Sequence, residues 1–212
     1  MHIIARMLNI HADEYTTHHR TKACYILHYL VHDDQSLCLS ASNRGCLSSL
    51  AALIREITPP EAIEEWGEDE AESLSALRES AFILTASLSL LSHEIRRCVA
   101  DELGLLPFAK SSLRHKHYGV RYAACQCIRA LSRSVQALRT NLVDTGVGLA
   151  VMKIVMQGYV LSRDRDRLVK VGAEAEVEED RRVLGAALTV VCNCVNDFSP
   201  LRTVSDVTLF FT

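Results

Sequence analysis

Residues Ala81 to Leu105 align without gaps on Ala123 to Val147 at a constant offset of 42, so that Arg97 falls on Arg139 and Gly104 on Gly146. An earlier copy runs from Ala23 to Gly45, one residue shorter, and a later one starts at Ala186. A period of this length marks a supersecondary unit that cannot bury its apolar face alone and stacks on its neighbours instead. Each copy reads as a long helix, a short helix, a glycine and a second apolar helix. In the third copy Ala124, Cys127, Ile128, Leu131 and Val135 form a buried stripe at helical spacing, within a long helix predicted over about Val120 to Ser134. A short helix over Val135 to Val143, a left-handed turn at Gly146 and a helix over Val147 to Val155 follow. Ser199 and Pro200 read as an N-cap and first helical residue in the fourth copy. Its Val190, Val191, Val195 and Phe198 are expected to form an apolar face that a further repeat would cover.

Composition agrees with an all-α chain. Four prolines and nine glycines in 212 residues are too few for the turns of a β-sandwich. A net charge of −3 supplies no field to hold a polyanion, which disfavours general nucleic-acid binding. The longest apolar runs, Ala81–Leu91 and Val183–Val195, fall short of the roughly twenty residues that span a bilayer. The eight cysteines lie mostly inside apolar stretches without the dense spacing of a disulfide framework, so reduced, core-filling thiols are expected. The first ten residues do not read as a signal peptide, and a soluble intracellular chain is the expectation.

The repeats are placed at about 16–57, 73–113, 118–156 and 181–212, with insertions at 58–72 and 157–180. The first insertion opens with Pro59 and Pro60 and is strongly acidic; the second alternates charge over Arg163 to Arg167 before the acidic run Glu174 to Asp180. Both are expected to be solvated, mobile loops on one edge of the stack.

A three-helix unit of about 42 residues with a glycine before an apolar helix resembles the armadillo repeat. Residues 121–140, RYAACQCIRALSRSVQALRT, and 183–202, ending in CNCVNDFSPLR, are similar to consecutive central repeats of the armadillo-repeat scaffold subunit of the GID/CTLH ubiquitin ligase. The resemblance covers roughly residues 75–202. It implies a right-handed α-solenoid, protein partners within a ubiquitin ligase complex, and a cytoplasmic and nuclear location. It further implies a non-catalytic scaffold that joins the substrate-receptor side to the RING core and so serves proteasome-dependent degradation. Family members run well beyond Thr212, so the chain is expected to be a piece, or a short form, that lacks the C-terminal repeats implied to hold the substrate receptor. Peptide-binding armadillo proteins such as importin-α and β-catenin place an asparagine at one recurring position of the long helix. Here that position holds Asp33, Leu91, Arg133 and Asn196, which leaves Asn196 alone to serve and no continuous asparagine ladder.

Chemistry-bearing patterns are few. Cys24, His28 and His32 share one helical face at i, i+4 and i+8, the types a zinc or copper ion takes, but no fourth ligand stands at recognisable spacing. A solenoid helix is the simpler account, and no metal or cofactor is expected. His115 and His117 are placed in a polar turn. The Cys125/Cys127 and Cys192/Cys194 pairs point about 200° apart on a helix and cannot chelate one ion. No nucleophile elbow, phosphate loop or HExxH string occurs, so neither an enzyme nor a small-molecule substrate is expected.

Tyr122, Gln126, Arg129 and Arg133 form a second stripe on the third long helix, separate from the apolar one. Aromatic and arginine side chains are favoured at protein interfaces. Together with Asn196 they are the predicted partner-binding residues. The rival readings are a generic armadillo adaptor in trafficking or signalling, and a metal-binding protein built on the Cys24/His28/His32 face.

Overall fold

The computed structural model describes residues 2–9, 14–58, 70–133, 145–163 and 174–197, and of these the side chains of all but 159–163, 174–180 and 195–197. Every regular element among them is helical: α1 (His2–Met7), α2 (Thr17–Val31), α3 (Gln35–Asn43), α4 (Cys46–Ile57), α5 (Glu72–Leu90), α6 (His93–Arg97), α7 (Leu106–Ser112), α8 (Tyr118–Leu131), α9 (Val147–Arg163) and α10 (Glu174–Asp197). Beyond α6 the chain widens over Cys98–Glu102 into a looser turn, in which Leu103 N–H donates to the Cys98 carbonyl at 2.8 Å.

The repeat seen in the sequence is a repeat of backbone geometry. Gly45, Gly104 and Gly146 are the positive-φ residues among those described, at 78°, 57° and 67°, and each directs the chain into the second helix of its unit. A Cβ is strained in that region, so the glycine is required at that point of the repeat. The long helices then stack in order: α5 lies between α2 and α8, and α10 packs on the far side of α8. Short polar side chains start the short helices. Asp34 Oδ1 accepts from Leu37 N–H at 3.0 Å to open α3, and Ser92 Oγ accepts from Ile95 N–H at 3.3 Å to open α6.

A second device recurs between units. Arg55 of α4 donates to the Leu103 carbonyl, one residue before Gly104, and Lys110 Nζ of α7 donates to the Thr145 carbonyl, one residue before Gly146, at 2.5 Å. Each cation holds the glycine turn of the next unit against the second helix of the previous one.

Among the described residues α5 buries more side chains than any other helix, although serine and threonine are frequent in it. Ser80, Thr85 and Ser87 donate their hydroxyls to the carbonyls of Leu77, Ala81 and Ile83 in their own helix, at 2.9, 2.8 and 3.2 Å, so these side chains enter the core with their polarity satisfied. Phe82, Leu84 and Leu88 of the same helix share one buried core with the α8 stripe of Ala124, Cys127, Ile128 and Leu131, and Leu77 is buried too.

Several expectations are corrected. α8 ends at Leu131, and Arg133 follows in a turn. The second insertion is largely helical in backbone: α9 runs on to Arg163 and α10 begins at Glu174, which leaves 164–173 between them, outside the described residues. Glu70, assigned to the first insertion, is anchored in the core, and Glu72 opens α5. Val190 is buried and Val191 half-buried, so they are not an open apolar face. The helix expected over 135–143, the Ser199–Pro200 cap, most of the first insertion and the side chains of Val135, Val195 and Phe198 lie outside the described residues. Among the described residues no single helix is long and apolar enough to cross a membrane.

Candidate functional site

The predicted partner stripe lies where α8 meets α10. Tyr122, Gln126 and Arg129 are half-buried, and Arg133 is exposed just past the helix end. The guanidinium of Arg182, from α10, stands 5.7 Å from the Tyr122 ring centroid and donates to Tyr118 Oη at 3.1 Å, so the two tyrosines and the arginine tie one end of the junction. Asn193 ties the other end. Its Nδ2 donates to Ser132 Oγ at 2.8 Å and to the Arg129 carbonyl at 3.4 Å, which satisfies polar groups at the C-terminus of α8. Tyr122 and Arg129 are thus partly engaged within the chain. Arg129 Nε is buried with no hydrogen-bond partner among the described residues, while Arg133 projects to solvent. Asn196 lies on α10, with its side chain outside the described residues.

Arg133 has a cationic neighbour. Arg96 Nη1 donates to the Ser89 and Leu90 carbonyls at 3.0 Å each, capping the C-terminus of α5. Burial first, and the charge of Arg133 second, push the Arg96 guanidinium below its ordinary pKa. The C-terminal ends of two stacked helices therefore present adjacent positive charge, which favours an anionic partner.

The Cys24/His28/His32 face is built for packing. Cys24 is fully buried, and its thiol is pushed up to about 12 by burial. His28 Nδ1 meets Ser87 Oγ of α5 at 2.6 Å, and burial, followed by the nearby His32, lowers its pKa. Among the described residues no three His, Cys, Asp or Glu side chains converge to hold a metal ion.

One polar constellation was not legible in the sequence. Arg78 of α5 is 1% exposed, yet its Nη1 donates to Glu70 Oε2 at 2.7 Å, its Nε to Thr58 Oγ1 at 3.1 Å and its Nη2 to the Ile57 carbonyl. Ser75 Oγ donates to the same Glu70 oxygen at 2.7 Å. His115 is buried rather than set in a solvated turn, and its Nδ1 accepts from His117 N–H at 3.0 Å. That leaves Nε2 to carry the proton, which it donates to Glu70 Oε2 at 2.7 Å, so the ring is neutral. Burial drives the Glu70 carboxyl up, but the hydrogen bonds from Arg78, Ser75 and His115 outweigh it and hold the pKa at about 2. Burial lowers the pKa of His115 more than Glu70 raises it. The cluster joins the end of α4, the start of α5 and the α7–α8 turn across two repeats, and it has the satisfied, enclosed character of a structural fastening.

Among the described residues every regular element is helical, the left-handed glycines fall in register and the long helices stack in sequence, an arrangement that fits a relative named for armadillo repeats. Residues 117–206 match the VID28/GID5 C-terminal domain family. The chain is similar to GID complex subunit 5 of Schizosaccharomyces pombe, at 27% identity over 191 residues that cover 84% of this chain and 21% of the relative. It is also similar to Armadillo repeat-containing protein 8 of Danio rerio, at 30% identity over 126 residues, 59% of this chain and 16% of the relative. The Xenopus laevis protein of that name is likewise 30% identical, over 59% of this chain and 15% of its own length. The chain is thus homologous to GID complex subunit 5 and Armadillo repeat-containing protein 8 over the part they share, and it spans about a fifth or less of their length.

Proposed function

We propose that the chain forms part of a right-handed armadillo solenoid that serves as a non-catalytic scaffold in a GID/CTLH-type ubiquitin ligase, in the cytoplasm and nucleus. The observation that carries this reading is the similarity to GID complex subunit 5 along 84% of the chain, over the same stacked repeats in which the packing is continuous. A scaffold of this kind acts by position. A stack of repeats holds two partners at fixed separation and raises the effective concentration of one near the other. Buried hydroxyls, thiols pushed up by burial and a fully hydrogen-bonded Glu70–Arg78–His115 cluster suit a rigid support.

The partner surface in this reading is the solvent side of the α8–α10 junction, with Tyr122, Gln126, Arg129 and Asn196 around the exposed Arg133. Arg133 is the residue to test, because Arg129 is half-buried and its reversal would disturb packing as well as recognition. Arg133→Glu should reduce co-purification of the tagged chain with GID/CTLH core subunits about tenfold, as loss of an interface arginine does, with the circular dichroism spectrum unchanged. Undiminished co-purification of the variant would remove Arg133 from the interface, and a wild-type chain that recovers no core subunit would overturn the scaffold reading.

A further inference from the structure

A groove of about 770 Å³ opens between α7, the α7–α8 turn, α9 and the start of the described side chains of α10. It follows from unequal helix lengths. α7 has 7 residues and α9 has 17, and at about 1.5 Å per residue the longer helix overhangs the shorter, leaving part of α9 without a neighbour from the preceding unit.

The lining is of one charge sign. Lys110, Arg114, Lys116, Arg121 and Lys153 line the groove, and no aspartate or glutamate does so among the described residues, in a chain whose net charge is −3. Two of the cations are set in place by carbonyls: Lys110 by Thr145, and Arg121 Nη1 by His115 at 3.0 Å and Lys116 at 2.6 Å. Arg114 and Lys153 are exposed at the mouth. Leu149 adds an apolar contact, because it is 72% exposed at the groove wall, a high value for a leucine on a helix that is packed on other sides. The floor is rigid, since His115 lines it and is fastened to Glu70, which Arg78 holds in turn.

We propose that this groove seats an acidic segment of a protein partner, with carboxylates against Lys110, Arg114 and Lys153 and an apolar side chain against Leu149. Charge complementarity selects the occupant: a one-signed concave site focuses its field and draws in the opposite charge, and a neighbouring apolar anchor fixes the register. Lys110 and Arg121, held by carbonyls, lose little conformational freedom on binding, which favours the groove over a mobile surface of equal charge. None of Tyr122, Gln126, Arg129 and Arg133 lines the groove, so the inference can be tested independently of the scaffold reading.

The test is direct binding to the 212-residue chain, followed by fluorescence anisotropy of a labelled peptide built from the repeating unit Glu-Glu-Leu. The expected result is saturable binding that weakens as salt rises, falls about tenfold in Arg114→Glu/Lys153→Glu and about threefold in Leu149→Ser, and is lost when Gln replaces Glu in the peptide. Equal binding of the Gln-Gln-Leu peptide overturns the proposal in favour of a merely apolar face, and tighter binding of oligouridine overturns it in favour of nucleic acid. Two further results would also overturn it. One is binding that appears only after residues 59–69 are deleted, which makes the chain's own acidic insertion the occupant. The other is a concentration-dependent dimer that the double variant abolishes, which makes the occupant a second copy.

Discussion

The α5–α8 junction and the α8–α10 junction use the same kind of helix stack and are held in different ways. α5 has a long helix on each side, and it buries Leu77, Phe82, Leu84 and Leu88 together with the Arg78 guanidinium. Where α5 meets α8, Gly119 leaves so little room that a Cβ there would lie 2.0 Å from Glu79 Oε2, and Glu79 in turn accepts from Tyr25 Oη of α2 at 3.1 Å. Three successive long helices meet at that carboxylate. α10 instead brings the small residues Val183, Ala186, Ala187 and Val190 to the core, with Arg182 and Asn193 tying the junction at its edges. In a stack of repeats an inner unit gains from two interfaces, and side-chain ties at the edges matter more where apolar burial is smaller.

The largest expected effect follows from the buried charge. Arg78→Ala should destabilise the chain by about 4 kcal/mol, because it leaves the Glu70 carboxylate enclosed without its cation and the Ile57 and Thr58 acceptors without their donor. Urea denaturation followed by circular dichroism measures this. A cost no greater than that of an α10 edge substitution would break the contrast between the junctions.

Acid should reveal the same cluster. His115 has a lowered pKa, so the unfolded chain binds its proton more readily and stability falls as pH drops below about 6.5. Glu70, held at about 2 against an ordinary 4.5, contributes stability that is complete above 4.5 and is lost as pH falls towards 2. The carboxylate contribution is on the order of 2 kcal/mol. Denaturation midpoints measured across this range should therefore fall in two stages, and His115→Gln should shrink the upper one, to which His28 also contributes. A midpoint that stays flat between neutral pH and the onset of carboxylate titration would mean that His115 is not held neutral by burial.

The sequence carried the architecture where periodicity carries it. The offset of 42 between Gly104 and Gly146, and the spacing of Ala124, Cys127, Ile128 and Leu131, reflect local requirements of a left-handed turn and a buried helix face, and both are present in the structure. Glu70–Arg78–His115 was missed because its partners are 8 and 37 residues from Arg78 and share no period. A weak signal existed: an arginine in the apolar register of α5, beside Leu77, Ala81 and Phe82, required a counter-ion. Alignment to a peptide-binding ladder singles out Asn196 and not Asn193, since it says nothing of which asparagine faces the C-terminus of α8. The extent of α9 and α10 was missed for a different reason. The charge density of the insertion 157–180 reads as a loop, but charged residues continue a helix well when one of its faces is already packed.

At the second junction the expected effect is smaller. Asn193→Ala should cost about 1 kcal/mol, since it removes one hydrogen bond to Ser132 and one to the Arg129 carbonyl at a partly exposed helix end. Asn193→Asp sharpens the result, because a carboxylate cannot donate to either oxygen and should be no better than alanine. Parity of both variants with the wild type in urea would show that apolar packing alone holds α10 on α8.

Thiol reactivity distinguishes the two junctions without any change of stability. Cys125 and Cys127 of α8 and Cys24 of α2 are fully buried, and burial pushes each thiol up to about 12, so at pH 8 only about one molecule in ten thousand carries the thiolate that attacks a disulfide reagent. Cys192 on α10 is exposed. A limiting amount of a thiol reagent, followed by peptide mass mapping, should therefore label Cys192 first, with Cys24, Cys125 and Cys127 protected until the stack opens. Protection of the three should vanish at the urea concentration that unfolds the wild-type chain, and at a lower one in Arg78→Ala, whereas Asn193→Ala should leave them nearly as protected as before. If Cys125 and Cys127 label as fast as Cys192 in the native chain, the α8 core is open to solvent on the timescale of the reaction and the two junctions do not differ in the way proposed.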